Sequence, residues 1–79
     1  MSLAEAQEVK SLLLQTNDQY RQLAERHHQL DDRLHQLTEK HYLSTAEQLE
    51  ESTIKKRKLA LKDQMESMAR DFAVHSRAS

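Results

Sequence analysis

The chain has 79 residues, contains neither glycine nor proline, and carries a formal net charge of −1 at pH 7. Because the usual breakers are missing and Leu, Glu, Gln, Lys and Ala dominate, long helices are the expected structure. The absence of cysteine excludes disulfides and Cys-based zinc sites. Neither half is a polycation, and no apolar run exceeds three residues. We therefore expect a soluble, cytoplasmic protein without a transmembrane segment.

Two capping boxes mark the helix starts. Ser2 is followed three residues later by Glu5, and Ser44 by Glu47. In this motif the serine hydroxyl accepts a hydrogen bond from a backbone N–H, and the glutamate reaches back to the cap residue. The sequence therefore predicts that one helix begins after each serine.

No breaker separates the first cap from residue 41, so we predict a continuous first helix about 60 Å long. Three residues suffice for an antiparallel turn. The predicted fold is all-α, an antiparallel hairpin of two long helices with coiled-coil-like packing; a continuous rod or an exchanged dimer would use the same helices. In the single domain over 1–79, helix 1 covers 3–41, the turn 42–44, helix 2 45–74 and a frayed tail 75–79.

Apolar residues repeat at heptad spacing in the first helix and at 3-4 spacing in the second. In an antiparallel helical hairpin that turns at about residue 43, facing residues have numbers that sum to about 86. Met65 is therefore expected near Tyr20 and Leu23, and Phe72 near Leu13. The residues predicted to form the interface are Leu13, Tyr20, Leu23, His27, Leu30, Leu34, Leu37, Leu61, Met65, Met68 and Phe72.

Several leucines lie outside both stripes and would stay partly exposed in a two-helix fold. Chains of this size commonly need oligomerisation to bury enough apolar surface. We therefore predict a homo-oligomer, with docking of an unknown protein partner as a further use of the same surface. The surplus leucines are Leu3, Leu12, Leu14, Leu49 and Leu59.

Histidine and aspartate cluster on one broad face of helix 1. Imidazole and carboxylate at these spacings could ligate Zn²⁺ or Ni²⁺ if a second chain completed the shell. Pairing with neighbouring charges on a solvated surface is the simpler interpretation, so we expect no metal and no cofactor. The candidates are His28, Asp31, Asp32 and His35.

Two further histidines, His27 and His41, fall at seam positions of the first helix. The simpler interpretation places each ring at the edge of the seam with one nitrogen in water. The alternative is an assembly that loosens below about pH 6 when a desolvated His27 is protonated.

Lys55, Lys58 and Lys62 form a basic stripe that could contact phosphate. Glu51 precedes Lys55 by four residues, so intrahelical ion pairs are the simpler use of these lysines. Nucleic-acid association through this stripe is the alternative function.

Catalysis is not expected. A nucleophile needs a base and an oxyanion site converging in a pocket, and helices packed side by side leave little room for one. The sequence has no glycine-rich phosphate loop. We expect a protein interaction or scaffold module that self-associates.

Three segments resemble the YdcH-like family of short bacterial helical proteins. The resemblance implies a cytoplasmic, hairpin-like helical protein without a characterised function. The resemblance extends over roughly residues 3–68, and the residues that carry it are His27 to Asp31 with Leu34, Tyr42 with Leu43, and Ile-Lys-Lys-Arg-Lys-Leu-Ala-Leu-Lys-Asp over 54–63.

Overall fold

The computed structural model describes the backbone of residues 2–78 and the side chains of residues 2–75. Within that range the chain forms three helices and no strand: α1 (Leu3–Thr16), α2 (Asp18–Thr38) and α3 (Thr45–Ala78). The predicted all-α class is confirmed. None of these described helices is both long and apolar enough to cross a membrane.

The predicted continuous first helix is wrong, because the chain breaks at Asn17. This residue has extended backbone angles, φ −124° and ψ 112°. Its side-chain Oδ1 accepts a 2.9 Å hydrogen bond from the Tyr20 backbone N–H and so caps α2. Its own N–H donates to the Leu13 carbonyl at 2.9 Å and closes α1. Asparagine competes with the helical backbone in this way, which makes it a good N-cap and a poor interior residue.

The break turns α1 away from the axis of α2. Lys10 of α1 shares an open groove of about 200 Å³ with His27 of α2 and Lys62 of α3. In an uninterrupted helix Lys10 and His27 would lie about 25 Å apart. The architecture is therefore a hairpin of α2 and α3 with α1 packed against it, rather than a hairpin of two helices.

The hydrophobic core has one part where all three helices meet. Leu13, Tyr20 and Ala69 are buried together there, one from each helix. Four partly buried residues pack around them: Val9, Met65, Met68 and Phe72. The predicted proximity of Phe72 to Leu13 and of Met65 to Tyr20 agrees with this cluster.

The antiparallel register of α2 and α3 follows from ion pairs between them. Arg33 pairs with Glu50 and Lys58 with Asp31, so the paired residue numbers sum to 83 and 89. Both lie close to the predicted value of about 86. Between the helices Leu37 is fully buried, and no polar side chain is buried among the described residues.

Both predicted helix starts are found. The Ser2 Oγ accepts from the Glu5 N–H at 3.2 Å. The Ser44 Oγ accepts from the Glu47 N–H, and the Glu47 carboxylate accepts from the Ser44 N–H, both at 3.1 Å. Reciprocal bonds of this kind make the second site a complete capping box.

The helix ends differ from the predicted ones. α2 ends at Thr38, three residues early, so His41 lies exposed in the loop instead of in the seam. At the other end of the chain, α3 continues through Ala78, beyond the predicted limit at 74. Most of the segment predicted to fray is thus helical, and Ser79 lies outside the described residues.

We expect Asn17→Ala to lower the free energy of unfolding by about 1 kcal/mol, because it removes the side-chain acceptor that caps α2. Urea unfolding followed by circular dichroism at 222 nm measures this change. Asn17→Asp keeps an acceptor and should stay close to the wild type. Equal stability of the alanine variant and the wild type would contradict the role given to this cap.

Candidate interaction surfaces

All five surplus leucines of the sequence are exposed in the structure. Their exposed fractions run from 40% at Leu12 to 76% at Leu3. Tyr42 and Val74 are exposed as well. Three of the five leucines belong to α1, which has only 14 residues: Leu3, Leu12 and Leu14.

The leucines of α1 flank its buried line. Leu13 is 3% exposed and packs on the core, whereas Leu12 and Leu14 are 40% and 42% exposed. Successive helical residues are about 100° apart, so these two leucines lie on opposite sides of Leu13. Packing on the hairpin therefore buries only the middle of the apolar arc of α1.

The residues predicted to form the helix interface pack against other residues of the same chain. All eleven are buried or partly buried. The buried ones are Leu13, Tyr20, Leu23 and Leu37, and the partly buried ones are His27, Leu30, Leu34, Leu61, Met65, Met68 and Phe72. Ile54, which lies on the predicted 3-4 stripe of the second helix, is 4% exposed, whereas the prediction missed Ala69, which is 7% exposed. Ala69 follows Met65 by four residues, a spacing that could have placed it beside the stripe.

Ion pairs connect α2 and the loop to α3. The Arg33 guanidinium makes two hydrogen bonds of 2.9 Å, from Nε and Nη2 to the two carboxylate oxygens of Glu50. The Lys40 ammonium pairs with Glu47, beside the capping box. Bidentate arginine–carboxylate pairs fix geometry as well as charge, so Arg33 sets the register near the loop.

These contacts lower the pKa values of the acidic groups that take part in them. The hydrogen bond from Lys40, followed by that from the Ser44 backbone, lowers the pKa of Glu47 to about 2. Hydrogen bonding to Arg33 lowers the pKa of Glu50, and hydrogen bonding to Lys58 lowers that of Asp31. Burial raises the pKa of the Tyr20 hydroxyl. The lowered values favour charged carboxylates at neutral pH.

The metal-ligand candidates do not converge. His28 Nε2 lies 3.5 Å from Asp32, and His35 Nε2 lies 3.6 Å from Glu39. Asp31 instead pairs with Lys58 across the helices. Among the described residues, no group of three His, Asp or Glu side chains is placed to hold a metal ion. The four candidates therefore form separate surface pairs.

The basic stripe is partly neutralised. Lys55 Nζ lies 3.5 Å from Glu51, the intrahelical pair expected from the sequence. Lys58 pairs with Asp31, and Lys62 lines the groove that also contains Glu66. Two of the three stripe lysines thus have a carboxylate partner.

A groove formed by two adjoining depressions runs along the α2–α3 hairpin, and none of its lining residues belongs to the groove that contains Lys10, His27 and Lys62. It consists of two depressions of about 570 and 390 Å³, which share Leu30 and Arg57. The first is lined by Arg26, Gln29, Leu30, Arg57, Ala60, Leu61 and Gln64. The second is lined by Leu30, Arg33, Ala46, Leu49, Glu50, Thr53, Ile54 and Arg57.

The Glu47 contacts predict an acid-dependent contribution to stability. The folded-state pKa of about 2 lies below the ordinary value of 4.5, so this contribution is present above about pH 4.5 and is lost as the pH falls towards 2. We expect Glu47→Gln to lower the melting temperature by a few degrees at pH 6 and by much less at pH 2.5, measured by circular dichroism. Asp63→Asn on the exposed surface of α3 is the control. A Glu47→Gln effect that does not change with pH would contradict the assignment.

Comparison with known proteins shows which family the chain matches. The model of a family described as "Protein of unknown function (DUF465)" matches residues 21–69, which include most of α2, the loop and α3 through Ala69. The YdcH-like proteins belong to this family, so the resemblance found in the sequence is confirmed. No curated protein and no solved structure matches the chain. Because the family match covers more than half of the chain, the protein belongs to the DUF465 family.

Proposed function

We propose that this protein is a non-catalytic, cytoplasmic interaction module that self-associates through the exposed leucines of α1. The observation that carries the proposal is the exposure of Leu12 and Leu14 on both sides of the buried Leu13. Single exposed leucines are normal on protein surfaces. Three on one 14-residue helix leave apolar area on both sides of its buried line, which another apolar surface can cover.

The free energy of burying leucine side chains supports a second copy of the chain as the surface that covers them. Full burial of a leucine side chain is worth about 1.5–3 kcal/mol. A chain of this size leaves a large part of its apolar surface exposed when it folds alone. Two copies that meet through α1 would cover Leu12 on one side of the buried line or Leu14 on the other, in both chains, and the gain would be doubled by symmetry.

The charged residues support self-association over nucleic-acid binding. Phosphate binding needs lysines free of carboxylates, but Lys55 and Lys58 already have acidic partners. The histidine pairs are also poor support for catalysis, since His28 and His35 are more than three quarters exposed. Catalytic hydrogen bonds are strongest where water is excluded.

We expect sedimentation equilibrium of the untagged protein to show a dimer or a larger assembly. Leu12→Gln/Leu14→Gln should weaken association roughly a hundredfold while helical content stays unchanged, because the apolar contact is lost from both chains. Leu49→Gln/Leu59→Gln on α3 is the matched control. A wild-type monomer at all concentrations, or equal weakening by both double variants, would contradict the proposal.

A further inference from the structure

We propose that the groove on the α2–α3 hairpin binds an acidic amphipathic helix of a partner protein. This inference goes beyond self-association, because it concerns a different side of the molecule. The groove extends along α3 from Ala46 to Gln64, a distance of about 27 Å. That length matches about five turns of a helix.

The groove is open along this length. α1 lies beside Lys62 and Glu66, on the other side of α3. Neither residue lines the groove, so the packing of α1 leaves it uncovered. A helix could therefore dock there without displacing any described element.

The shape of the groove suits a helix. Its floor is apolar and is formed by Leu30, Ile54 and Leu61. On the α3 wall, Ala46, Thr53 and Ala60 follow one another at intervals of seven residues, which keeps this wall low. Small side chains allow a second helix backbone to approach closely, and an apolar floor accepts anchors at i, i+3, i+4 and i+7.

The charged residues of the groove indicate what kind of partner would bind there. Arg26 of α2 and Arg57 of α3 both line the larger depression, and neither has an ion pair or a hydrogen bond to a side chain among the described residues. Arg33 in the same groove is already satisfied by Glu50. Glu25 lines a neighbouring depression with Arg26 but makes no ion pair with it.

Two unpaired guanidinium groups beside an apolar floor favour carboxylates on the bound partner. A guanidinium presents donors in a planar fork that fits a carboxylate in two-point contact. Such bonds are stronger where water is partly excluded. A helix with leucines on one side and flanking glutamates would meet both features at once.

A second copy of the same groove fits poorly. Its charged lining consists of three arginines and one glutamate. Two such grooves face to face would bring six guanidinium groups against two carboxylates, and like charges brought together at an interface cost binding energy. A nucleic acid also fits poorly, because two open arginines neutralise few phosphates.

The test uses a fluorescein-labelled synthetic helix of 18 residues, with leucines at i, i+3, i+4 and i+7 and glutamates on both flanks. Fluorescence anisotropy is followed as full-length protein is added at 50 mM salt. We expect saturable binding that is at least about tenfold tighter than for the same peptide with glutamine in place of glutamate. Arg26→Gln/Arg57→Gln should remove this difference.

The matched control is Lys56→Gln/Arg70→Gln, which removes two positive charges from exposed positions of α3 outside the groove. It should bind the acidic peptide as the wild type does, while Ala60→Phe should block binding by filling the groove without changing its charge. Equal loss in the Lys56/Arg70 variant would overturn the proposal, as would equal binding of the Glu and Gln peptides. Displacement of the peptide by unlabelled duplex DNA at equal concentration would reassign the groove to phosphate.

The Leu12→Gln/Leu14→Gln background separates this inference from self-association. Peptide binding there should match that of the wild type, since no groove residue is changed. Loss of peptide binding in that background would show that the two surfaces are one and would overturn the proposal of a separate groove partner.

Discussion

The hydrogen bond from the Tyr20 backbone N–H to the Asn17 side chain decides how the three helices meet. This bond begins α2, and the bond from the Asn17 N–H to the Leu13 carbonyl ends α1, so one residue separates the two helices and α1 can turn onto the hairpin without a loop. Tyr20, whose N–H makes this bond, is also 1% exposed and belongs to the central cluster. Local capping and tertiary packing therefore act on the same residue. The cap alone would not hold α1 against the hairpin, because a single cap is worth only about 1 kcal/mol.

The turn of α1 makes the two sides of the hairpin chemically different. On one side α1 covers Ala69 and Met65, and it carries exposed leucines of its own. The other side keeps an open groove whose acidic group, Glu50, is already used by Arg33 near the loop. Among the described residues that line the groove, unpaired positive charge therefore remains further along, at Arg26 and Arg57, although the whole chain carries a net charge of −1.

Features that depend on neighbouring residues could be predicted from the sequence. Features that depend on a competition between local helix propensity and packing of distant residues could not. Ser44 and Glu47 lie three residues apart and form their box wherever the chain goes, so the start of α3 was predictable. Asn17 stands in a run without Gly or Pro, and its helix propensity is only about 0.7 kcal/mol worse than that of alanine. It breaks the helix because Leu13 and Tyr20 can then be buried together at Ala69, a contact between residues far apart in sequence. The groove likewise needs α2 and α3 side by side, so no single segment reveals it.

The boundaries of the family match divide the two proposed surfaces. Every residue that lines the groove, from Arg26 to Gln64, lies within the matched residues 21–69. The exposed leucines of α1 lie before that range, as does the Asn17 cap that aims the helix. Phe72, which packs on the central cluster, lies after it. The hairpin groove is thus built from the part of the chain that the family shares, while the α1 surface depends on segments at both ends packing together. The proposed partner docking and the proposed self-association therefore rest on separate residues, and we expect a change in α1 to affect the second without altering the groove.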